Sequence, residues 1–386
     1  MVVEPKIRGF ICTTAHPVGC RQNVKNQIEY VKAQPKTNGA KKVLVIGCST
    51  GYGLASRISA AFSCGADTLG ISFEKPSSGK RTASAGWYNN AAFEEFAHAD
   101  GLYAKTINGD AFSKEVKDET IALIKQDLGK VDLVVYSLAA PRRKTDDGTV
   151  YSSVLKTTGE AYTNKTIDLM AKKVNEVTIE PATEQEIHDT VKVMGGEDWK
   201  DWIGALADAD VLADNAVTVA YSYIGPVLTH PIYFNGSIGM AKKHLYDTSV
   251  ELNRLFADKG LHAYISVNKA LVTQASAAIP IVPLYISILY KIMKELNIHE
   301  GCIEQMYRLF HEKLFVDTPV VDEAGQFRLD DWEMREDVQK QVETLWATIA
   351  DDNLDETADL PGYWSDFYQM FGFQLDGVDY SADVAI

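Results

Sequence analysis

Between Lys42 and Ala139 the apolar positions fall into short runs, separated by longer segments where they recur at helical spacing. KVLVIG (42–47), TLGISFE (68–74), YAKTING (103–109) and VDLVVYSLA (131–139) read as strands. LASRISAAF (54–62), NAAFEEFAHADG (90–101) and KEVKDETIALIKQDLG (114–129) read as the helices between them. This alternation predicts βαβ units and a parallel sheet. Strands that are apolar throughout suit a sheet covered on both faces.

The regularity stops at residues 140–182, where Thr, Val, Tyr and turn residues dominate; one or two β-hairpins are expected there as an insertion. A helical stretch with Trp199 and Trp202 follows, then AVTVAYSYIG (216–225) as a fifth strand. LHAYISVNKALVT (261–273) contains a sixth, and the remainder is periodic as helices. Before the first strand, QNVKNQIEYVKAQ (22–34) has helical character and PKTNGAKK reads as a linker. The expected organisation is one α/β domain over residues 1–386. It has an N-terminal extension (1–40), the hairpin insertion (140–182) and a helical substrate-pocket and C-terminal region (274–386).

Composition narrows the class. A formal net charge of -15, from 38 basic and 53 acidic residues, argues against a nucleic-acid binder, which needs a basic footprint. The five cysteines, Cys12, Cys20, Cys48, Cys64 and Cys302, are widely spaced and form no CxxC pair, so reduced thiols in a cytoplasmic protein are expected. The N-terminus carries charge early and does not read as a signal peptide. The most apolar segment, IPIVPLYISILY (279–290), is twelve residues long with two prolines. That is too short to span a bilayer, so it reads as a buried helix or pocket wall and no membrane insertion is expected. The eight histidines form no metal-ligand pattern and no GxSxG elbow is present, so neither a metal nor a serine nucleophile is expected.

Candidate chemistry begins where the first strand runs into GCSTGYG, with Gly47, Gly51 and Gly53 ahead of a helix. A tight glycine turn between strand and helix lets backbone approach a pyrophosphate, and the helix N-terminus supplies free N–H groups. The fold class is therefore read as a doubly wound, Rossmann-type parallel sheet. Glu74, at the end of the second strand, stands where an adenosine ribose is held, and its carboxylate favours NADH over NADPH. Lys75, Lys80 and Arg81 close by could instead neutralise a 2′-phosphate. Asp110 after the third strand suits an adenine amino group. Ser137, Leu138 and Ala139 after the fourth allow close approach on the nicotinamide side.

The fifth strand ends in Tyr221-Ser222-Tyr223, and alternation points both tyrosines to one face. Tyr233 and Lys242 follow, nine residues apart, which at about 100° per residue places them on opposite faces of a continuous helix. Asn235-Gly236 breaks that helix, and Ser237 is a good N-cap for one starting there. Tyr233 is then on a loop, Lys242 in the second turn, and Ile238, Ala241, Leu245 and Leu252 face the core. A tyrosine hydroxyl can protonate a developing oxyanion, and a lysine can hold the nicotinamide ribose and lower the tyrosine pKa. Spacing alone leaves open a merely packed Tyr233 and a surface Lys242, with Lys243 and Tyr246 as competitors.

These stretches together resemble the trans-2-enoyl-CoA/ACP reductases of the FabV type, enlarged relatives of the short-chain dehydrogenases. The resemblance runs nearly end to end: AHPVGC (15–20), GCSTGYGLASR, SFEK, GWYNN, GDAF, VYSLAAP, VMGGEDW, AYSYIGP, NKALVT, IPIVPLY and EGCIEQ. Its most specific element is the Tyr-x8-Lys spacing, against Tyr-x3-Lys or Tyr-x6-Lys in related reductases. The resemblance implies Tyr233 as proton donor, Lys242 as cofactor anchor and Tyr223 as a contact to the substrate carbonyl. It implies NADH held by Gly47, Cys48, Ser49, Thr50, Gly51 and Tyr52, by Phe73 and Glu74, and by Asp110 and Ala111. Leu138 and Ala139, Lys242, and Leu271, Val272 and Thr273 complete that set, with Glu74 discriminating against NADPH. The implied reaction is NADH-dependent reduction of the trans-2 double bond of an enoyl-CoA or enoyl-acyl-carrier-protein, the last step of fatty-acid elongation, by a monomer. Two alternatives are a ketoreductase, with Ser222 as the partner serine, and a non-catalytic NADH-sensing protein, which needs Glu74 and the glycine turn but not Tyr233 or Lys242.

Overall fold

The computed structural model describes residues 1–9 and 11–386. A short ribbon, β1 (Ile7–Arg8) and β2 (Ile11–Cys12), leads into α1 (Pro17–Ala33). The alternating region follows as β3 (Lys42–Ile46), α2 (Gly51–Cys64), β4 (Asp67–Ser72), α3 (Ala85–Ala99), β5 (Ala104–Asn108), α4 (Lys114–Leu123) and β6 (Val131–Tyr136). The insertion is two hairpins, β7 (Arg142–Lys144) with β8 (Val150–Ser152) and β9 (Tyr162–Asp168) with β10 (Lys173–Ile179). Then come α5 (Glu184–Met194), α6 (Glu197–Asp208), β11 (Leu212–Ser222), α7 (Ser237–Leu255) and β12 (His262–Val267). The C-terminal part holds α8 (Val282–Glu295), α9 (Cys302–Arg308), β13 (Phe327–Arg328), α10 (Glu336–Thr348), α11 (Leu354–Thr357) and α12 (Leu360–Gln369).

Seven strands form one parallel sheet in the order β13-β12-β11-β6-β3-β4-β5. The chain leaves β3 towards β4 and β5, then crosses back to place β6 on the other side of β3. The strand order therefore reverses between β3 and β6, and a crevice opens there at the carboxyl ends of the strands. Val43, Leu44, Val45 and Ile46 of the central strand are all fully buried, as a strand covered on both faces requires.

One face of the sheet packs on α1, α2, α3 and α9, through Val24, Ile58, Phe93 and Met306 among others. The other packs on α4, α6 and α7, where Trp199, Trp202 and Leu245 fill the layer. The helical C-terminal part builds a further cluster around α8, with Tyr285, Tyr290 and Phe367 buried in it. The apolar 279–290 segment is thus a buried helix, beginning at Val282.

Three expectations shift. The third helix starts at Ala85 rather than at residue 90, so GWYNN is its first turns and not a loop. The fifth strand begins four residues early, at Leu212, and carries a register irregularity before Val217. The seventh strand, β13, has no signal in the sequence; two residues pair with Ser266 and Val267 and extend the sheet by one edge.

Candidate active site

The crevice between β3 and β6 is lined first by the glycine turn. Gly47 has φ +85°, and a Cβ there would overlap the Ser137 carbonyl at the end of β6. A Cβ on Gly53 would overlap the Gly47 carbonyl, so these two glycines let the turn close on itself. Thr50 precedes α2 in an extended conformation, and its side chain caps no N–H group. The first-turn N–H groups of α2 are therefore left for an anion, where the helix dipole also favours one.

Glu74 does not project into solvent. Its carboxylate accepts from the Ser49 hydroxyl (2.6 Å) and from the Ser84 hydroxyl (2.5 Å) at the start of α3. Its backbone is clamped to Asn108, whose Oδ1 accepts from the Glu74 N–H (2.7 Å). Among the described residues no lysine or arginine pairs with it; Lys75, Lys80 and Arg81 are exposed. Neighbouring Phe73 is 77% exposed, a large aromatic ring presented at the mouth of the site. Sequence reasoning missed what GWYNN does here. Asn89 donates to the Ser49 carbonyl (3.0 Å) and Asn90 to the Ser72 hydroxyl (3.0 Å), so α3 buttresses the glycine turn and the end of β4. Two adjacent buried asparagines at a helix start were the available signal.

The remaining cofactor candidates surround the same crevice. Asp110 accepts from the Phe112 N–H (3.0 Å) through one oxygen, which leaves the other open. The Ala111 carbonyl is taken by the Trp202 indole (3.1 Å). Leu138 and Ala139 lie two and three residues past the end of β6, after Ser137. Leu271 and Val272 are buried, and the Thr273 methyl stands 3.9 Å from where a Gly51 Cβ would lie. The Tyr52 hydroxyl donates to the Lys269 carbonyl (2.7 Å), tying the glycine turn to this segment. Cys48 is buried beneath the turn beside Arg57.

Tyr233 lies on a turn, four residues ahead of α7. The break is made by close packing: a Cβ at Gly239 would overlap the Phe234 and Tyr233 carbonyls, so the loop lies against the first turn of the helix. Ser237 is not the cap. Gly236 precedes the helix, and Ser237 is its first residue. Its hydroxyl instead donates to the Val154 carbonyl (2.5 Å) and accepts from the Lys156 N–H (3.2 Å). The Thr158 hydroxyl donates to the Asn235 carbonyl (2.6 Å), so the segment between the two inserted hairpins holds the Tyr233 loop. Ile238, Ala241, Leu245 and Leu252 face the core as expected.

The rings of Tyr223 and Tyr233 meet edge to face, with centroids 4.9 Å apart. β11 ends at Ser222, so the alternation argument stops one residue short of Tyr223. Tyr221 instead packs against Tyr52 and shares a hydrogen bond with Ser56. The Lys242 ammonium donates to the Tyr221 carbonyl (2.8 Å), and burial pulls its pKa down to about 8. Burial pushes the Tyr233 phenol up, with no opposing contribution from Lys242; the expected lowering is absent. A desolvated phenol therefore keeps its proton throughout the neutral range. Lys243 pairs with Asp247 (2.7 Å) at the surface, and the Tyr246 hydroxyl reaches the Ala324 carbonyl, which takes both competitors away from the site.

A parallel sheet with a glycine turn at its switch point defines a dinucleotide-binding protein of the Rossmann type. Residues 81–315 match the family model described as the trans-2-enoyl-CoA reductase catalytic region, and residues 2–79 its NAD(P)H binding domain. Residues 321–384 match one described as an enoyl reductase FAD binding domain. A trans-2-enoyl-CoA reductase (NADH) of Ruminiclostridium cellulolyticum is 58% identical, over 100% of this chain and 98% of its own. An enoyl-acyl-carrier-protein reductase (NADH) of Flavobacterium johnsoniae is 59% identical, over 99% and 97%. The crystal structure of Clostridium acetobutulicum trans-2-enoyl-CoA reductase in complex with NADH superposes with a TM-score of 0.97 at 48% identity, covering 100% of this chain and 98% of that one. That of the Treponema denticola enzyme with NAD gives 0.95 at 48%, with the same coverage. The chain belongs to the trans-2-enoyl-CoA reductase family.

A flavin does not fit residues 321–384. This segment has 17 acidic residues against three basic ones, a poor environment for a pyrophosphate. Among the described residues it has no strand–glycine-turn–helix unit; β13 leads instead into an acidic turn. A Cβ on Gly362, at the start of α12, would overlap Asp359 and Lys294, so no cradle opens there.

Proposed function

We propose that Tyr233, Lys242 and Tyr223 are the working groups of an NADH-dependent reduction of the trans-2 double bond of enoyl thioesters. The observation that carries this reading is the edge-to-face contact of Tyr223 with Tyr233, which lies on a loop held outside α7, the helix that carries Lys242. NADH, when bound, supplies the hydride that adds to C3 of the substrate. As negative charge builds on the thioester oxygen, the Tyr233 hydroxyl hydrogen-bonds it, and C2 takes up the proton that completes the saturated product. Lys242 holds the nicotinamide ribose, Gly47 to Tyr52 the pyrophosphate, Phe73 and Glu74 the adenosine, and Asp110 and Ala111 the adenine edge. Leu138, Ala139 and Leu271 to Thr273 enclose the nicotinamide side.

NADH oxidation should be rapid with crotonyl-CoA and within background with acetoacetyl-CoA. Turnover of acetoacetyl-CoA alone would mean a ketoreductase, and tight NADH binding without any enoyl turnover would mean a sensor. Enoyl-CoA and enoyl-acyl-carrier-protein are both candidate substrates. Strands from all three family-model regions share one sheet, which supports a single domain over residues 1–386. Among the described residues no helix is long and apolar enough to cross a membrane. The enzyme acts, on this proposal, as a cytoplasmic monomer.

Glu74 sets the cofactor preference in this reading, because a carboxylate held by two serines stands just past the end of β4, where an adenosine ribose is held in such folds. Glu74→Gln should raise the KM for NADH and shift the NADPH-to-NADH ratio of kcat/KM upward by about ten- to a hundredfold, the effect of one charge-assisted hydrogen bond and one repulsion. An unchanged ratio would remove Glu74 from that role.

A further inference from the structure

Glu333 comes from the turn between β13 and α10, and its side chain is fully buried. It forms no salt bridge among the described residues. Its partners are neutral donors from three separate segments. The Tyr223 hydroxyl donates to Oε1 (3.0 Å), the Tyr285 hydroxyl of α8 donates to the same oxygen (2.6 Å), and the Ala270 N–H donates to Oε2 (2.8 Å). Gln339 closes the set, donating to the Tyr285 hydroxyl (3.2 Å) and to the Glu333 carbonyl (2.7 Å).

A buried carboxylate without a directly bonded cation costs stability relative to an apolar residue of the same shape. The buried ammonium of Lys269, which donates to the Ala270 carbonyl, balances this charge from nearby without bonding to it, so charge balance does not explain why the carboxylate is bonded to Tyr223, Tyr285 and Ala270. What the carboxylate does is join the end of β11, the start of α8 and the segment after β12. Tyr223 presents its ring edge-to-face to Tyr233, and Ala270 begins the stretch that continues into Leu271, Val272 and Thr273. The phenolic proton of Tyr223 points at Glu333, so while this bond holds Tyr223 cannot donate to the substrate carbonyl, the contact that the resemblance implies for it.

We propose that Glu333 is a positioning residue for the reaction. By accepting from Tyr223 and from the Ala270 main chain, it fixes the ring that orients Tyr233 and the 270–273 segment in one arrangement. Tyr233 is thereby left as the phenol that donates to the thioester oxygen. This inference rests on the proposed roles of Tyr223 and Tyr233.

A double-mutant cycle of Glu333→Gln and Tyr223→Phe tests it, with kcat and KM for crotonyl-CoA and Kd for NADH measured on all four proteins. A glutamine side chain at this position cannot accept from both tyrosines and from Ala270 at once, because one of its two polar atoms only donates. The single variant E333Q should lose about ten- to a hundredfold in kcat, with KM for crotonyl-CoA within about threefold. In the Y223F background the effect of E333Q should shrink from about ten- to a hundredfold to no more than about threefold, because the Tyr223 arm carries most of the loss and only the Ala270 arm remains. Full kcat in E333Q, or losses that multiply in the double variant, would overturn the inference while leaving the Tyr233 reading intact. A Y223F enzyme with unchanged kinetics would remove both the Tyr223 role and this inference. Where E333Q does not yield protein that binds NADH, Glu333→Asp, which keeps the charge and shortens the arm by one methylene, runs the same cycle with the same expected coupling.

Discussion

Replacing Tyr233 by phenylalanine is expected to lower kcat for crotonyl-CoA reduction by about a hundred- to a thousandfold, with Kd for NADH within about threefold of the parent. The substitution removes one oxygen and little else. The ring keeps its packing against Tyr223, and the hydroxyl makes no hydrogen bond to another described residue, so no buried partner is orphaned. Folding should be unaffected, and the thermal transition of Y233F should match the parent within about two degrees. What is lost is a donor aimed at charge that exists only in the transition state. That predicts a fall in kcat with little change in KM for crotonyl-CoA. Burial raises the pKa of this phenol, so the parent enzyme should show no alkaline limb from Tyr233 below about pH 9. A Y233F enzyme keeping more than about a tenth of parental kcat would take the donor role away from this residue.

The parts of the molecule that were legible in the sequence are those where local pattern and tertiary environment agree. β3 is apolar at four consecutive positions because helices cover both its faces, and the same pattern marks β6. The glycine turn was legible because two of its glycines meet backbone where a Cβ has no room. The Tyr233 loop was placed correctly for a partly wrong reason. The chain breaks at Asn235-Gly236, but the hydroxyl of Ser237 serves the 154–156 segment and not the helix end. A capping rule describes local competition for N–H groups, and here a distant segment wins that competition. β13 was invisible because two residues carry no periodicity; only Ser266 and Val267 alongside make them a strand. Glu333 was invisible for a stronger reason. DDWEMRED has the composition of a solvated surface turn, and no local feature distinguishes Glu333 from Glu336 or Asp337. The fold buries the first and exposes the others, and contacts from Tyr223, just past β11, and from Tyr285 of α8 decide which.

Lys242 connects activity and stability with opposite signs, and that opposition makes its role measurable. Its pKa falls from 10.5 to about 8 because burial penalises the ammonium. Below about pH 8 the folded protein holds a charged amine, able to donate to ribose hydroxyls and to favour the oxyanion nearby. Above it the charge is lost. kcat/KM for NADH, which reports the free enzyme, should therefore fall as pH rises through about 8. The stability effect runs the other way. Between about pH 8 and 10.5 the unfolded chain binds a proton that the folded chain does not, so stability attributable to this group rises with pH across that window. The full excursion is on the order of 3 kcal/mol, at about 1.4 kcal/mol per pKa unit. Alkaline inactivation caused by Lys242 thus cannot come from its unfolding the protein. Lys242→Met should reduce kcat/KM by about a hundredfold or more at about pH 7, flatten the alkaline limb and leave the thermal transition at that pH no lower than the parent's. Its one hydrogen bond among the described residues, to the Tyr221 carbonyl, is made to an oxygen on a sheet strand, so losing it is a small cost beside the relief of a desolvated charge. A K242M protein that unfolds more readily at about pH 7 than at about pH 10, relative to the parent, would show that the ammonium stabilises the fold and would reverse the sign argued here.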